Sequence, residues 1–480
     1  MVPVAVMTLD QLRGPRQPDA VALVDDQRRW TAREMDQRVA ALAGGLATLG
    51  VEHGTPVVFQ LGIEPDGVML YRACWRLGAV AVPVHHQAGA AVLAPMLTQL
   101  RATGRPPVLV AGTGYPLAEH GQVVRPDQLD DADAWSPAPG TDEDRALVMF
   151  TSGSSGSPKG VVHTHGALGY KARQLVELHQ LDGHDAALMP APLAHVSGLL
   201  HAVLCPAAGG YKAVLMSRWD PSVALDLIER EEITYMVGPP TFFLGLMDAP
   251  DFTPDRVASL RFVSVGGTNI SEAFVDRAEA TLGCIVKRAY GSTEAPTVAI
   301  SRNDDSHQHR TRTDGRAHGS TEIVADAETG ELLLRGPEVS IGYLDPRDDE
   351  GVFVDGWFHS GDIGVVDDEG WLQVKGRLSG TIIRGGENID VAAVEGLLEA
   401  HPAIRAAVVV GQPDARLGER VAAFVVADEA FDVARCRAWF DTRGAARFTC
   451  PEVIEVVDDF PLLPAGKPDR RALAARLGAP

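Results

Sequence analysis

A chain of 480 residues is long enough for two or three domains of about 150 residues, and its 45% hydrophobic and 22% charged content is that of a globular protein, not a disordered one. Its formal charge of −21 repels nucleic acid and anionic lipid as a whole, while leaving room for local basic spots that hold a phosphate. No apolar run approaches the ~20 residues of a membrane span, the N-terminus lacks the basic stretch of a signal peptide, and five scattered cysteines without a CxxC pair support neither a disulfide framework nor a cysteine zinc site. A cytoplasmic enzyme is the expectation.

Residues 31–49 alternate polar and apolar at helical spacing and predict an amphipathic helix. Strand-like PVVFQLG (56–62), helical YRACWRLGA (71–79), strand-like VAVPV (80–84), helical APMLTQLRATG (94–104) and strand-like PPVLVAG (106–112) follow. This alternation predicts an α/β architecture with mostly parallel strands. Residues 126–144, rich in Asp, Pro and Gly, read as a surface loop. A second α/β cycle, from 146 to about 300, contains the strand candidates ALVMF (146–150), ITYMVG (233–238), LRFVSVGG (260–267) and CIVKRAYG (284–291). Beyond Gly315 short β runs separated by Gly and Asp predict antiparallel hairpins. From Asp390 helices and strands alternate again, so the chain divides near 376–380 into a large unit, 1–377, and a small one, 378–480.

The stretch TSGSSGSPKG (151–160), directly after an apolar strand, is too small and polar to build a core. It exposes backbone N–H groups and hydroxyls to an anion, with Lys159 adding charge. A flexible Ser/Gly linker is the bland alternative, but linkers rarely end in Pro-Lys-Gly after a strand. A Walker loop needs Gly-Lys-Ser/Thr, whereas Pro158 precedes and Gly160 follows this lysine; the hydrolase elbow G-x-S-x-G is missing as well. Two H-x-H pairs, His163/His165 and His307/His309, would each share one face of a strand, yet neither has a third ligand nearby in sequence.

TSGSSGSPKG resembles the phosphate-binding loop of the adenylate-forming superfamily of acyl- and aryl-CoA synthetases, peptide-synthetase adenylation domains and luciferases. PLAHVSGL (192–199), AYGSTE (289–294), GWFHSGD (356–362), Gly376–Arg377, GGENI (385–389) and PAGK (464–467) follow in the family's order, so the resemblance covers nearly the whole chain. It implies a large N-terminal domain of layered α/β subdomains plus a β-rich subdomain, and a small mobile α+β C-terminal domain. It also implies a reaction: a carboxylate, a poor electrophile, is activated on the α-phosphate of ATP with release of pyrophosphate, then passed to a thiol. Charge gathers on phosphorus oxygens, which calls for fixed donors, a lysine and Mg²⁺.

By the same resemblance Thr151, Ser152, Gly153, Ser154, Ser155, Gly156 and Lys159 would hold phosphates. Gly266, Gly267, Tyr290 and Gly291 would border adenine. Asp362 would accept the ribose hydroxyls, as a carboxylate can take one O–H on each oxygen, with Arg377 reaching the ribose or phosphates. Glu294 is similar to the magnesium ligand, Thr293 to the hydroxyl at the α-phosphate, and Lys467 to the lysine that swings in between carboxylate and α-phosphate. Each has an ordinary reading too: a solvated carboxylate, a turn-forming Asp, a surface lysine.

His195 matches the gate beside the acyl pocket, with Val196, Gly198, Val265 and Thr268 as further lining, joined by Met236, Gly238 and Phe242. Amino-acid-activating relatives carry Asp where Val196 stands; a valine cannot offset a buried ammonium, so the acid is expected to be aryl or medium-chain acyl. GGENI resembles acyl-CoA synthetases, with Gly386 flanking the pantetheine tunnel and CoA as acceptor. The hinge position is Ser379, followed by Gly380, where Lys or Asp is usual. A stand-alone enzyme that loads a carrier-protein phosphopantetheine, or adenylates another oxyanion, is the alternative. A silent nucleotide-binding homologue is disfavoured because Lys467 and Glu294 are both kept.

Overall fold

The expected alternation becomes two large sheets with helices packed between them. The structure, a computed structural model, describes residues 8–12, 14, 17–130, 140–151, 158–267, 270–377, 381–384, 387–414, 417–443, 445, 447–463 and 467–477. In the first sheet the strands Val123–Val124, Val108–Ala111, Pro56–Gln60, Val80–Val84 and Arg145–Thr151 run parallel, and Lys159–Thr164 closes the edge antiparallel. The second sheet is parallel through its centre, from Phe262–Gly266 across Tyr235–Gly238 and Ala186–Met189 to Lys212–Leu215 and Val21–Val24, and antiparallel at both edges. One aliphatic core joins the inner faces of both sheets, from Phe59 and Met149 on one to Met189 and Leu215 on the other.

Local chemistry explains the helices between them. Thr31 accepts from Glu34 N while Glu34 reaches back to the Thr31 backbone, a reciprocal cap that starts the helix Ala32–Thr48. Its buried stripe is Met35, Val39, Leu42 and Leu46. The helix expected over 71–79 begins earlier, at Pro65, because proline suits a first helical position. Gly67 of that helix serves close packing: a Cβ there would lie 2.7 Å from Leu193 Cδ1.

The hairpins expected after Gly315 form an antiparallel sheet of Glu322–Ala325, Glu331–Arg335, Phe353–Val354, Trp357–Val366 and Leu372–Arg377. The last sheet begins at Thr381. In it Thr381–Arg384 and Ile404–Asp414 flank Gly418–Ala427 antiparallel, and Val453–Val456 pairs with Gly418–Ala427 in parallel. The helices Val391–Glu399 and Val433–Thr442 cover one face, while Leu473 of Arg470–Arg476 packs on Val408, Val410 and Phe424 of the other.

Two expectations change. His163 lies on the strand Lys159–Thr164, but His165 opens the next helix behind the Thr164 cap. His307 and His309 sit on the helix His307–Arg312, capped by Ser306, so neither pair presents two imidazoles from one strand face. Among the described residues no group of three His, Cys, Asp or Glu gathers as a metal site. All five cysteines are free and buried, and the sulfurs of Cys436 and Cys450 lie 3.8 Å apart. Among the described residues no helix is long and apolar enough to cross a membrane.

Candidate active site

Antiparallel pairing sets Thr151 directly opposite Lys159 on the edge strand of the sheet. Ser152, Gly153, Ser154, Ser155 and Gly156 lie outside the described residues, as do Thr268, Ser379 and Gly386. Lys159 Nζ stands 3.3 Å from Asp348 Oδ1 and 5.0 Å above the ring of Tyr343. A cleft of about 610 Å³ opens beside it, bordered by Pro95, Gln99, Pro158 and Asp345.

The YGSTE stretch follows the strand Ile285–Tyr290. Gly291 is required there: a Cβ would overlap the backbone N of Thr297 and approach Ala295 O to 2.8 Å. His163 Nε2 bonds the Thr293 carbonyl at 2.7 Å, while burial pushes the imidazole pKa down. The neutral ring therefore acts as an Nε2–H donor that fixes Thr293. Ser340 N donates to the Glu294 carbonyl at 2.7 Å, and the Tyr343 hydroxyl donates to Glu294 Oε1 at 2.8 Å. Among the described residues nothing hydrogen-bonds Glu294 Oε2.

Asp362 and Arg377 are cross-strand partners in the β-rich sheet. Arg377 Nε donates to Asp362 Oδ1 at 2.6 Å and Tyr290 OH donates to Oδ2 at 2.8 Å, so each oxygen holds one donor and keeps lone pairs for more. Asp362 is thereby fixed from two subdomains. Gly266 presses against the next strand, where a Cβ would sit 2.6 Å from Ala289 O, and Gly267 turns with φ +80°. The Cβ position of Gly267 is 3.5 Å from Lys467 Cε and 3.9 Å from Nζ.

Lys467 reaches that point from the C-terminal unit, where backbone bonds tie the chain on either side of it. Leu463 N bonds Lys467 O at 2.7 Å, Asp469 N bonds Pro461 O at 2.7 Å, and Asp469 caps the helix Arg470–Arg476. The residue keeps exposed surface, yet its ammonium lies in the cleft: desolvation there, then Arg377, lower its pKa, while Asp362 opposes the shift. Thus Lys467, Arg377, Asp362, Tyr290 and Gly267 meet in one place.

His195 caps the turn Val196–Gly198, with Nδ1 2.7 Å from Ser197 Oγ and accepting from Ser197 N. Burial, with the positive charge of Lys467 added, pushes its pKa down to about 4. The imidazole is therefore uncharged at neutral pH, and the ratio of wild-type to His195→Gln adenylation rates should stay flat from about pH 5 to 8. A ratio that instead changes with an apparent pKa near the unperturbed ~6.5 would assign a charged role to this ring. Gly198 has no room for a side chain, since a Cβ would run into Pro192 O. Val265 and Met236 are fully enclosed in the aliphatic core of the second sheet, so the pocket wall expected from them is not exposed in this structure.

Sequence reasoning passed over His163 as a fixer of Thr293 and did not single out Tyr343. The signal for His163 was its strand position beside the phosphate loop; Tyr343 gave none, since its contact with Glu294 spans 49 positions.

The Glu294 carboxylate held by Tyr343, the Asp362–Arg377–Tyr290 cluster and Lys467 brought to it from the C-terminal unit are an arrangement suited to a nucleotide-dependent ligase. The AMP-binding enzyme family matches residues 11–344 and its C-terminal domain matches residues 393–467. The chain is 32% identical over 489 residues to the medium-chain fatty-acid–CoA ligase of Escherichia coli K12, covering 94% of this chain and 86% of that one. It is 34% identical over 492 residues to a feruloyl-CoA synthase of an Amycolatopsis species, covering 97% and 98%. Its fold superimposes on o-succinylbenzoate CoA synthetase of Bacillus subtilis, solved with its acyl-adenylate intermediate, with a TM-score of 0.87, 27% identity and 98% of each chain covered. The chain belongs to the AMP-binding enzyme family. It is an ATP-dependent, AMP-forming ligase that activates a carboxylic acid as acyl-AMP.

Proposed function

We propose that this ligase activates an aryl or medium-chain acyl acid and passes the acyl group to CoA, with the unit from 378 onward turning between the two half-reactions. The observation that carries the acid class is Val196, half-buried, packed on the main aliphatic core and next to an uncharged His195. Such a wall accepts an apolar chain or ring and leaves an α-ammonium without a partner, at a desolvation cost of several kcal/mol.

The residues fit a divalent cation: Glu294 is a hard oxygen donor whose Oε2 takes no hydrogen bond among the described residues. When bound, Mg²⁺ would supply charge neutralisation and Lewis acidity at the phosphates. The side chains would divide the remaining work. Asp362 and Arg377 hold the ribose, and Tyr290 stacks on adenine. Lys159 holds phosphate once it leaves Asp348, and Lys467 stands where carboxylate oxygen meets the α-phosphate. The backbone bonds that tie the chain on either side of Lys467 support this role, because a point charge acts only where it is placed.

Pyrophosphate release across a panel of acids, with and without CoA and with a phosphopantetheinylated carrier protein, tests the reading. Aryl and medium-chain acids should drive release and α-amino acids should not, and thioester should form with CoA. Robust release with a common α-amino acid and none with simple acids would sink the acid class. Thioester on the carrier alone would move the acceptor from CoA to the carrier.

A further inference from the structure

We propose that Tyr343 is a positioning residue that holds Glu294 and Lys159 in one fixed relation, so that the metal-binding carboxylate and the phosphate-binding ammonium are presented together; this rests on the role proposed above for Glu294. The residue stands on a segment laced to both groups. Ile341 N bonds Val162 O at 3.0 Å, Val162 N bonds Gly342 O at 3.0 Å and Leu344 N bonds Gly160 O at 2.6 Å, which extends the strand Lys159–Thr164 by one more chain. Tyr343 itself bridges Val161, and its N donates to Asp349 Oδ1 at 2.7 Å. One residue before this run, Ser340 N holds the Glu294 carbonyl at 2.7 Å. The backbone of 340–344 is therefore a rigid tie between the phosphate-loop strand and the YGSTE turn.

The side chain uses that tie. Its hydroxyl donates to Glu294 Oε1 at 2.8 Å, and its ring lies under Lys159 Nζ at 5.0 Å, within the range of a cation–π contact. Phe353 packs edge-on against the ring at 5.8 Å and limits its rotation. A tyrosine with a packing role alone would satisfy its hydroxyl on a backbone carbonyl. Here both polar features of one ring, its O–H and its face, are spent on the two opposite charges of the site. The donated hydrogen bond fixes the carboxylate with Oε2 turned free, which is how an outer residue orients a metal ligand.

Two substitutions separate the features, because Tyr343→Phe keeps the ring and removes the O–H, whereas Tyr343→Leu removes both. The first readout needs no turnover: capture of Mn²⁺ into a ternary complex with α,β-methylene-ATP, followed by electron paramagnetic resonance. Tyr343→Phe should weaken capture about tenfold and raise the Mg²⁺ concentration for half-maximal rate similarly. At saturating Mg²⁺ its kcat and its KM for ATP should stay near wild type. Tyr343→Leu should add a rise in KM for ATP of about threefold from the lost cation–π contact. Unchanged Mn²⁺ capture by Tyr343→Phe, with Glu294→Gln weakened in the same assay, overturns the proposal and leaves the Glu294 reading standing. Unchanged capture by Glu294→Gln overturns both. A Tyr343→Phe variant with a lowered Tm and kcat but normal Mn²⁺ capture shows a tyrosine that only packs. Should Tyr343→Leu fail to fold, the Phe variant alone decides.

Discussion

Lys467→Ala lowers the rate of acyl-AMP formation from acid and ATP by about 10²–10³, the usual cost of losing one preorganised electrostatic contact. The same variant, supplied with synthetic acyl-adenylate, still makes thioester at close to the wild-type rate. The expectation follows from where the charge sits. Lys467 is carried to Gly267 on a chain tied on either side of it, in a cleft shared with Arg377 and Asp362. Lys159, pinned beside Asp348 and Tyr343 at the sheet edge, does not replace it there. Thiol attack on the acyl carbon releases AMP without passing through a pentavalent phosphorus, so the second step is expected not to need the ammonium at that place. Rapid-quench measurement of each half-reaction checks the claim. Equal impairment of both steps would show that Lys467 is structural, or that the proposed turn of the small unit does not occur.

Glu294→Gln, the second large effect, reduces turnover by about 10² or more while moving Tm by only a few degrees. The substitution is nearly isosteric: the backbone bond from Ser340 survives, and the amide oxygen still accepts from Tyr343. What disappears is one unit of negative charge and a hard oxygen donor, the features a divalent cation requires. Pyrophosphate release measured against Mg²⁺ concentration, alongside a thermal melt, separates the two consequences. Unaltered turnover at limiting Mg²⁺ refutes the metal role, and a collapse in Tm refutes the idea that the residue is replaceable structurally.

Much of the architecture was legible in the sequence because alternation and punctuation are local properties. The strands around Val82, Val263 and Val425, and the change to hairpins after Gly315, needed no knowledge of their partners. The adenylation motifs were legible for a related reason: loops that meet phosphate cannot hide their composition. What stayed hidden depends on distant pairing. Asp362 and Arg377 meet because of a sheet register, and Tyr343 meets Glu294 across a subdomain contact. Cys436 and Cys450 converge from a helix and a turn that share a core. Pocket and core could not be told apart either, since an apolar strand residue reads the same whether it faces a ligand or, like Val265, other side chains.

The pairing of Asp362 with Arg377 decides which parts of the machine travel. Arg377 ends a strand of the β-rich sheet, locked opposite Asp362, and the proposed swivel comes immediately afterwards. In the proposed turn of the small unit Lys467 would leave with it, while the paired Asp362 and Arg377 would stay on the large unit. The intermediate would then be gripped by its nucleotide end throughout, while the tool at its acyl end is exchanged. Pyrophosphate carries no ribose and would escape that clamp, so it could depart between the two half-reactions while the reactive anhydride stays held.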